Sequence, residues 1–203
     1  MLVSISVIAS ALIMYQQVSF MKNRPPGFER ENKLIVWVNT IANGSDYRAV
    51  MTELSRHPDI YNVTMADQIP GTPAVGELAT ILNDQGEEIN VLVDTYSVDE
   101  NYLDTFSIPL VNGRNFSPGN RSTEDTSLFP YLVNESLVKQ MGWADPIGKE
   151  IDTPLALVSG EVIGVFTDYN FSSLHEEIRP QLIYFFYDDW RWQRYLVMDV
   201  DSN

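Results

Sequence analysis

The chain holds two histidines, His57 and His175, and the second lies among carboxylates: Glu176 and Glu177 follow it and Asp168 stands seven residues before it. A histidine with paired carboxylates can move protons as general base and acid, or hold a divalent cation. Asp168, His175 and Glu176 are therefore the candidate set for hydrolytic or ligand-binding chemistry. Nothing in their spacing forces them to converge, and a polar, solvated loop between two strands is the stronger reading. His57 sits at the expected end of a helix, just before Pro58, where a cation suits the helix dipole; a structural cap outweighs a ligand there. Asp188-Asp189 and Asp199 to Asp201 can bind calcium only by folding back with carbonyls, and no EF-hand spacing is present. Trp190, Trp192 and Tyr195 can anchor a contact, although packing at a subdomain junction is the safer reading.

Other chemistries lack their residues. No G-x-x-x-x-G-K-[ST] occurs, so the chain is not itself an ATPase, and G-x-G-x-x-G, G-x-S-x-G and H-E-x-x-H are missing too. Cysteine is absent, which removes disulfides, thiol catalysis and thiolate metal sites. The 28 acidic residues against 13 basic ones give a net charge of −15, which repels phosphate backbones and speaks against nucleic-acid binding. The residues point to no enzyme, no cofactor and no metal.

The elements that would position these groups alternate between strand and helix. Leu34 to Val38 is a short apolar run, the pattern of a buried strand. Ser45 or Asp46 can cap a helix carrying Tyr47, Val50, Met51 and Leu54, and Ile60 to Met65 alternates as a strand. Gln68 to Gly76, rich in Pro and Gly, is the best candidate domain boundary. Leu78 to Leu82 and Ile89 to Val93 flank Asn83-Asp84-Gln85-Gly86 as a hairpin. Asp99 can cap a short helix with Tyr102, Leu103 and Phe106; Asn112 to Asn115 is turn chemistry, and Ser117 to Ser127 a polar loop. Tyr131 to Val133 is a strand. Asn134 then caps a helix with Glu135 in its first turn and Gly142 past its end. Glu161 to Thr167, Leu182 to Tyr187 and Tyr195 to Val200 complete the strands. The fold class is α+β with mixed sheets.

Met1 to Met14 is uncharged and mostly apolar. As a helix it spans about 21 Å, short of the ~30 Å hydrocarbon core. No basic region precedes it, which argues against a signal peptide. Two readings stand: a buried or amphipathic helix, or the second half of a transmembrane helix that begins upstream. Lys22, Arg24, Arg30 and Lys33 follow, a cluster that the positive-inside rule would place in the cytoplasm.

Five stretches resemble a known family. They are Met14 to Met21 leading to Gly27-Phe28 and Asn32-Lys33-Leu34, then Gly113 to Phe116, Val133 to Trp143, Asp145 to Lys149, and Val162 to His175. The V-N-E-x-x-V and D-P-I-G-K pair, in register with the later G-V-x-x-D-x-x-F-x-S-L, resembles the periplasmic core domain of MacB/FtsX-type ABC transporter permeases, especially those lacking a fused ATPase. The resemblance implies a two-lobed extracytoplasmic domain between two transmembrane helices. Residues 1–24 would be a partial transmembrane helix and stalk, and 33–76 the first part of a Porter-like βαβ lobe. Residues 77–190 would form an inserted Sabre-like lobe, and 191–203 a strand returning to the first lobe, so the chain reads as a fragment. It also implies a separate cytoplasmic ABC ATPase subunit, a permease homodimer, and a periplasmic adaptor or effector as partners. The competing expectation is a soluble periplasmic ligand-binding or hydrolytic domain using Asp168, His175 and Glu176.

Overall fold

The computed structural model describes residues 2–23, 26–38, 47–73, 75–117, 129–152, 160–171, 177–185 and 195–201. The chain opens with helix α1, Leu2–Asn23, whose side chains from Ser4 to Gln16 are exposed. Among the described residues, no helix is long and apolar enough to cross a membrane. The apolar run ends at Met14, and the remaining turns carry Gln16, Gln17, Ser19, Lys22 and Asn23.

Strand β1 (Lys33–Trp37), helix α2 (Tyr47–Leu54) and strand β2 (Ile60–Ala66) form a split unit. The two strands do not pair with each other. Strand β10, Tyr195–Val200, lies between them and pairs antiparallel with both. Met51 and Leu54 of α2 pack on Val63 and Met65 of β2 and on Leu196 and Met198 of β10. The expectation of a buried first strand fails: Leu34, Ile35, Val36 and Trp37 are 40–61% exposed, on both faces of an edge. Trp37 instead rests edge-on against Tyr195, with ring centroids 5.1 Å apart. Lys33 is held in an ion pair with Asp199 at 2.8 Å, its side chain only 3% exposed.

Strands β3 (Val75–Leu82) and β4 (Glu88–Val98) make the expected hairpin. Asn83 shapes the turn, its side-chain oxygen accepting the Gln85 and Glu87 backbone N–H groups, each at 2.9 Å. Further along come α3 (Tyr102–Thr105), β5 (Leu110–Gly113), β6 (Phe129–Asn134), α4 (Glu135–Met141), β7 (Glu150–Asp152), β8 (Gly160–Phe166) and β9 (Gln181–Phe185). Pairing runs β4-β3-β7-β8-β6-β9 and returns to β4, so these six strands close on themselves. The β6–β8 and β4–β9 pairs are parallel and the others antiparallel. β5 pairs with the C-terminal half of β8, Gly164 to Phe166, which puts Asn112 and Gly113 in a strand rather than in the expected turn.

Strands β6, β8 and β9 are buried on both faces, which explains why they read as continuous apolar runs rather than alternations. Their successive side chains feed two cores. Tyr131, Val133, Val162 and Leu182 pack with Ala79, Ile81, Val93, Ile151 and the α4 residues Leu137 and Met141. Leu132, Ile163 and Ile183 pack with Tyr96, Tyr102, Phe106, Phe166, Tyr169 and Phe171. The fold is a mixed α/β one.

Candidate functional site

Helix α4 starts where β6 ends, and Asn134 makes the transition in an extended conformation. Its side-chain oxygen accepts the Leu137 N–H at 3.1 Å, the expected cap, and also the Gln181 N–H at 2.9 Å. Its amide nitrogen donates to Asp168 at 2.8 Å and to the Arg179 carbonyl at 3.0 Å. One buried amide thus joins β6, α4, the end of β8 and the start of β9. At the other end Gly142 takes the left-handed conformation, with the Gly142 N–H on the Lys139 carbonyl and the Trp143 N–H on that of Val138. This is the Schellman closure that Gly142 predicts.

Asp168 stands at this node. Its Oδ1 accepts the Ser136 N–H at 2.9 Å beside the Asn134 amide, and its Oδ2 accepts the Ser136 hydroxyl at 2.7 Å. Its own N–H donates to Glu135 at 3.2 Å. A carboxylate bound by three donors is an anchor, its oxygens committed to holding the first turn of α4 to the end of β8. His175 and Glu176, the other members of the candidate set, lie outside the described residues, as do Ser45, Asp46, Asp188, Asp189, Trp190 and Trp192. His57 lies three residues beyond the end of α2 rather than on it. Its Nδ1 accepts the Asp59 N–H at 3.4 Å in an exposed turn. Among the described residues, no group of three or more His, Asp or Glu is placed to hold a metal ion.

Buried polar groups join β2 to β4, and no motif in the sequence announces them. These strands share a single register pair, Ala66 with Val98. A carboxylate reinforces it on each side. Asp67 accepts the Ser97 N–H at 2.9 Å, and Asp99 accepts Met65 N–H at 2.8 Å, Asn101 N–H at 3.0 Å and the Thr64 hydroxyl. Asp99 is therefore a cross-strand tie, not the helix cap expected of it; Asn101 occupies the cap position of α3 without a side-chain bond. Burial pushes the Asp99 carboxyl up to about 7, against the opposing pull of its three donors. Nearby, Tyr96, Tyr102 and Tyr169 are fully buried, and burial raises all three phenols. Tyr96 and Tyr169 share a hydroxyl–hydroxyl hydrogen bond. An aspartate just past an alternating strand was the only sequence signal for Asp67 and Asp99.

A groove of about 500 Å³ opens between α4 and β5, lined by Val111, Asn112, Glu135, Val138, Lys139, Gly142, Trp143, Ala144, Pro146 and Val165. Apart from Glu135 and Lys139 its lining offers no ionisable side chain.

Fold and site together describe a mixed α/β domain whose polar side chains serve as ties between strands, helices and connecting turns. The chain belongs to the MacB-like periplasmic core domain family, which it matches across residues 2–200. Its fold is similar to that of the periplasmic region of MacB from Actinobacillus actinomycetemcomitans, with a TM-score of 0.56 and 16% identity over 87% of this chain and 78% of that one. It is also similar to the extracellular domain of the noncanonic ABC-type transporter YknZ from Gram-positive bacteria, with a TM-score of 0.52 and 12% identity over 84% of each chain. No curated protein sequence matches the chain.

Proposed function

We propose that the chain is the extracytoplasmic domain of an ABC transporter permease and carries ATP-driven motion from a separate cytoplasmic ATPase to export or signalling outside the inner membrane. The family match over nearly the whole chain carries this reading. The site supports it, because Asp168 and Asn134 are committed to holding elements together. In this reading α1 is the outer part of a membrane helix, continuing as a stalk through about residue 24. Residues 33–76 and 191–203 build a Porter-like lobe around β10, and residues 77–190 form the inserted Sabre-like lobe. The permease acts as a homodimer, with a periplasmic adaptor or effector as its outer partner.

Fractionation of the source organism tests this directly. An antibody to this chain should find it in the inner-membrane fraction, accessible to protease from the outside, and should co-purify an ABC ATPase. Recovery in a soluble fraction without an ATPase would refute the reading.

A further inference from the structure

The segment that follows α1 lies against the body of the domain at two places. The Pro26 carbonyl accepts the Asn170 N–H and the Glu29 N–H donates to the Phe106 carbonyl, each at 2.8 Å. Phe28 stands edge-on to Phe106 and Tyr169, with centroids 6.2 and 5.9 Å away. Gly27 makes this approach possible: its φ is +88°, and a Cβ there would meet Tyr169 Cβ at 2.9 Å and the Asp168 carbonyl at 3.1 Å.

Asp168, Tyr169 and Asn170 are therefore gripped from two sides. Tyr169 and Asn170 meet the Pro26–Phe28 segment, while Asp168 binds Ser136 and Asn134 at the first turn of α4. Three residues span at most about 11 Å when fully extended, so so short a turn has little slack to absorb a displacement. Tyr169 is fixed further by complete burial and by its bond to Tyr96. We propose that Asp168–Asn170 is the relay by which movement of the segment after α1 reaches the first turn of α4, and through it the groove between α4 and β5. The inference rests on the motion-transmitting reading above and names where the motion enters the domain.

Hydrogen exchange on the 203-residue chain tests it. Gly27→Ala wedges the segment away from Tyr169, and Phe28→Ala removes the ring without adding an atom, so it carries the test if the first variant fails to fold. Both should speed exchange of the Ser136 and Leu137 amides about tenfold, while the Ala79 and Val91 amides of the hairpin keep their rates. Coupling is reciprocal, so Asp168→Ala should speed exchange at Asn170 and Glu29. Acceleration confined to Glu29 and Asn170 in the first two variants would overturn the relay, and so would uniform acceleration across the chain. Neither result bears on membrane location or ATPase association, which the fractionation experiment decides separately.

Discussion

Asp99 should make the domain more stable in mild acid than at neutral pH. The side chain is 2% exposed and its carboxyl ionises near 7 in the folded chain, against 3.8 as the ordinary value. Between these limits the folded state holds a proton that the unfolded state has lost, so stability falls as pH rises. The contribution is complete below about pH 4 and gone above about pH 7. At about 1.4 kcal/mol per pH unit, roughly three units give on the order of 4 kcal/mol. Many other carboxylates titrate in the same range, so the comparison must be with Asp99→Asn, which cannot ionise. The asparagine also turns an N–H toward one of the donors from Met65, Asn101 or Thr64, a cost of about 1–3 kcal/mol that does not depend on pH. Urea unfolding of both proteins from about pH 4.5 to about pH 8 gives the difference curve. The native advantage in mild acid should shrink as pH rises, reverse to a disadvantage, and level off above about pH 7. A difference that stays constant, or grows with pH, would refute the argument that burial outweighs the three donors.

Two further changes probe the same framework. Asn134→Ala removes the α4 cap together with three other hydrogen bonds and should cost about 3 kcal/mol, read as a lower denaturant midpoint. Gly160→Ala places a Cβ on the ring of buried Tyr131 and should cost about 1–3 kcal/mol, with thermal unfolding as the assay.

Much of the fold was legible because local signals agreed with their surroundings. The Asn134 cap, the Gly142 closure and the turn after Leu82 each follow from the chemistry of a few residues. The run Glu161 to Thr167 reads as a strand because both of its faces are buried, a fact its composition already carries. What could not be read was long-range. Leu34 to Trp37 has the composition of a buried strand, and its exposure follows from its place at the edge of the sheet, with β10 taking the position between it and β2. The closed circuit depends on β4 pairing with β9 across more than eighty residues of chain, which no local pattern announces. At the site, Asp168 drew attention as a possible base because of its type, yet its role is set by partners about 32 residues away in sequence. Asp99 was assigned to the helix beside it, whereas its bonds to Thr64 and Met65 reach back across the junction.

The basic cluster from Lys22 to Lys33 is the sequence feature most at odds with an external domain, and the structure gives part of it another cause. Lys33 stands opposite Asp199 in the β1–β10 register, nearly sealed from solvent in a 2.8 Å ion pair. A lysine so placed has a folding reason to be there. Removing Asp199 would strand its charge, so that loss should cost more than replacing both partners by apolar residues. The pair also tightens β1, an edge strand whose apolar side chains give it little burial of its own. Lys33 therefore bears on how β1 is held as well as on topology, and charge counting across this flank weakens accordingly. The flank that remains, Lys22, Arg24 and Arg30, brackets in sequence the Pro26–Phe28 segment that meets Tyr169 and Asn170, so the positive charge and the mechanical tie fall on one short stretch of sequence.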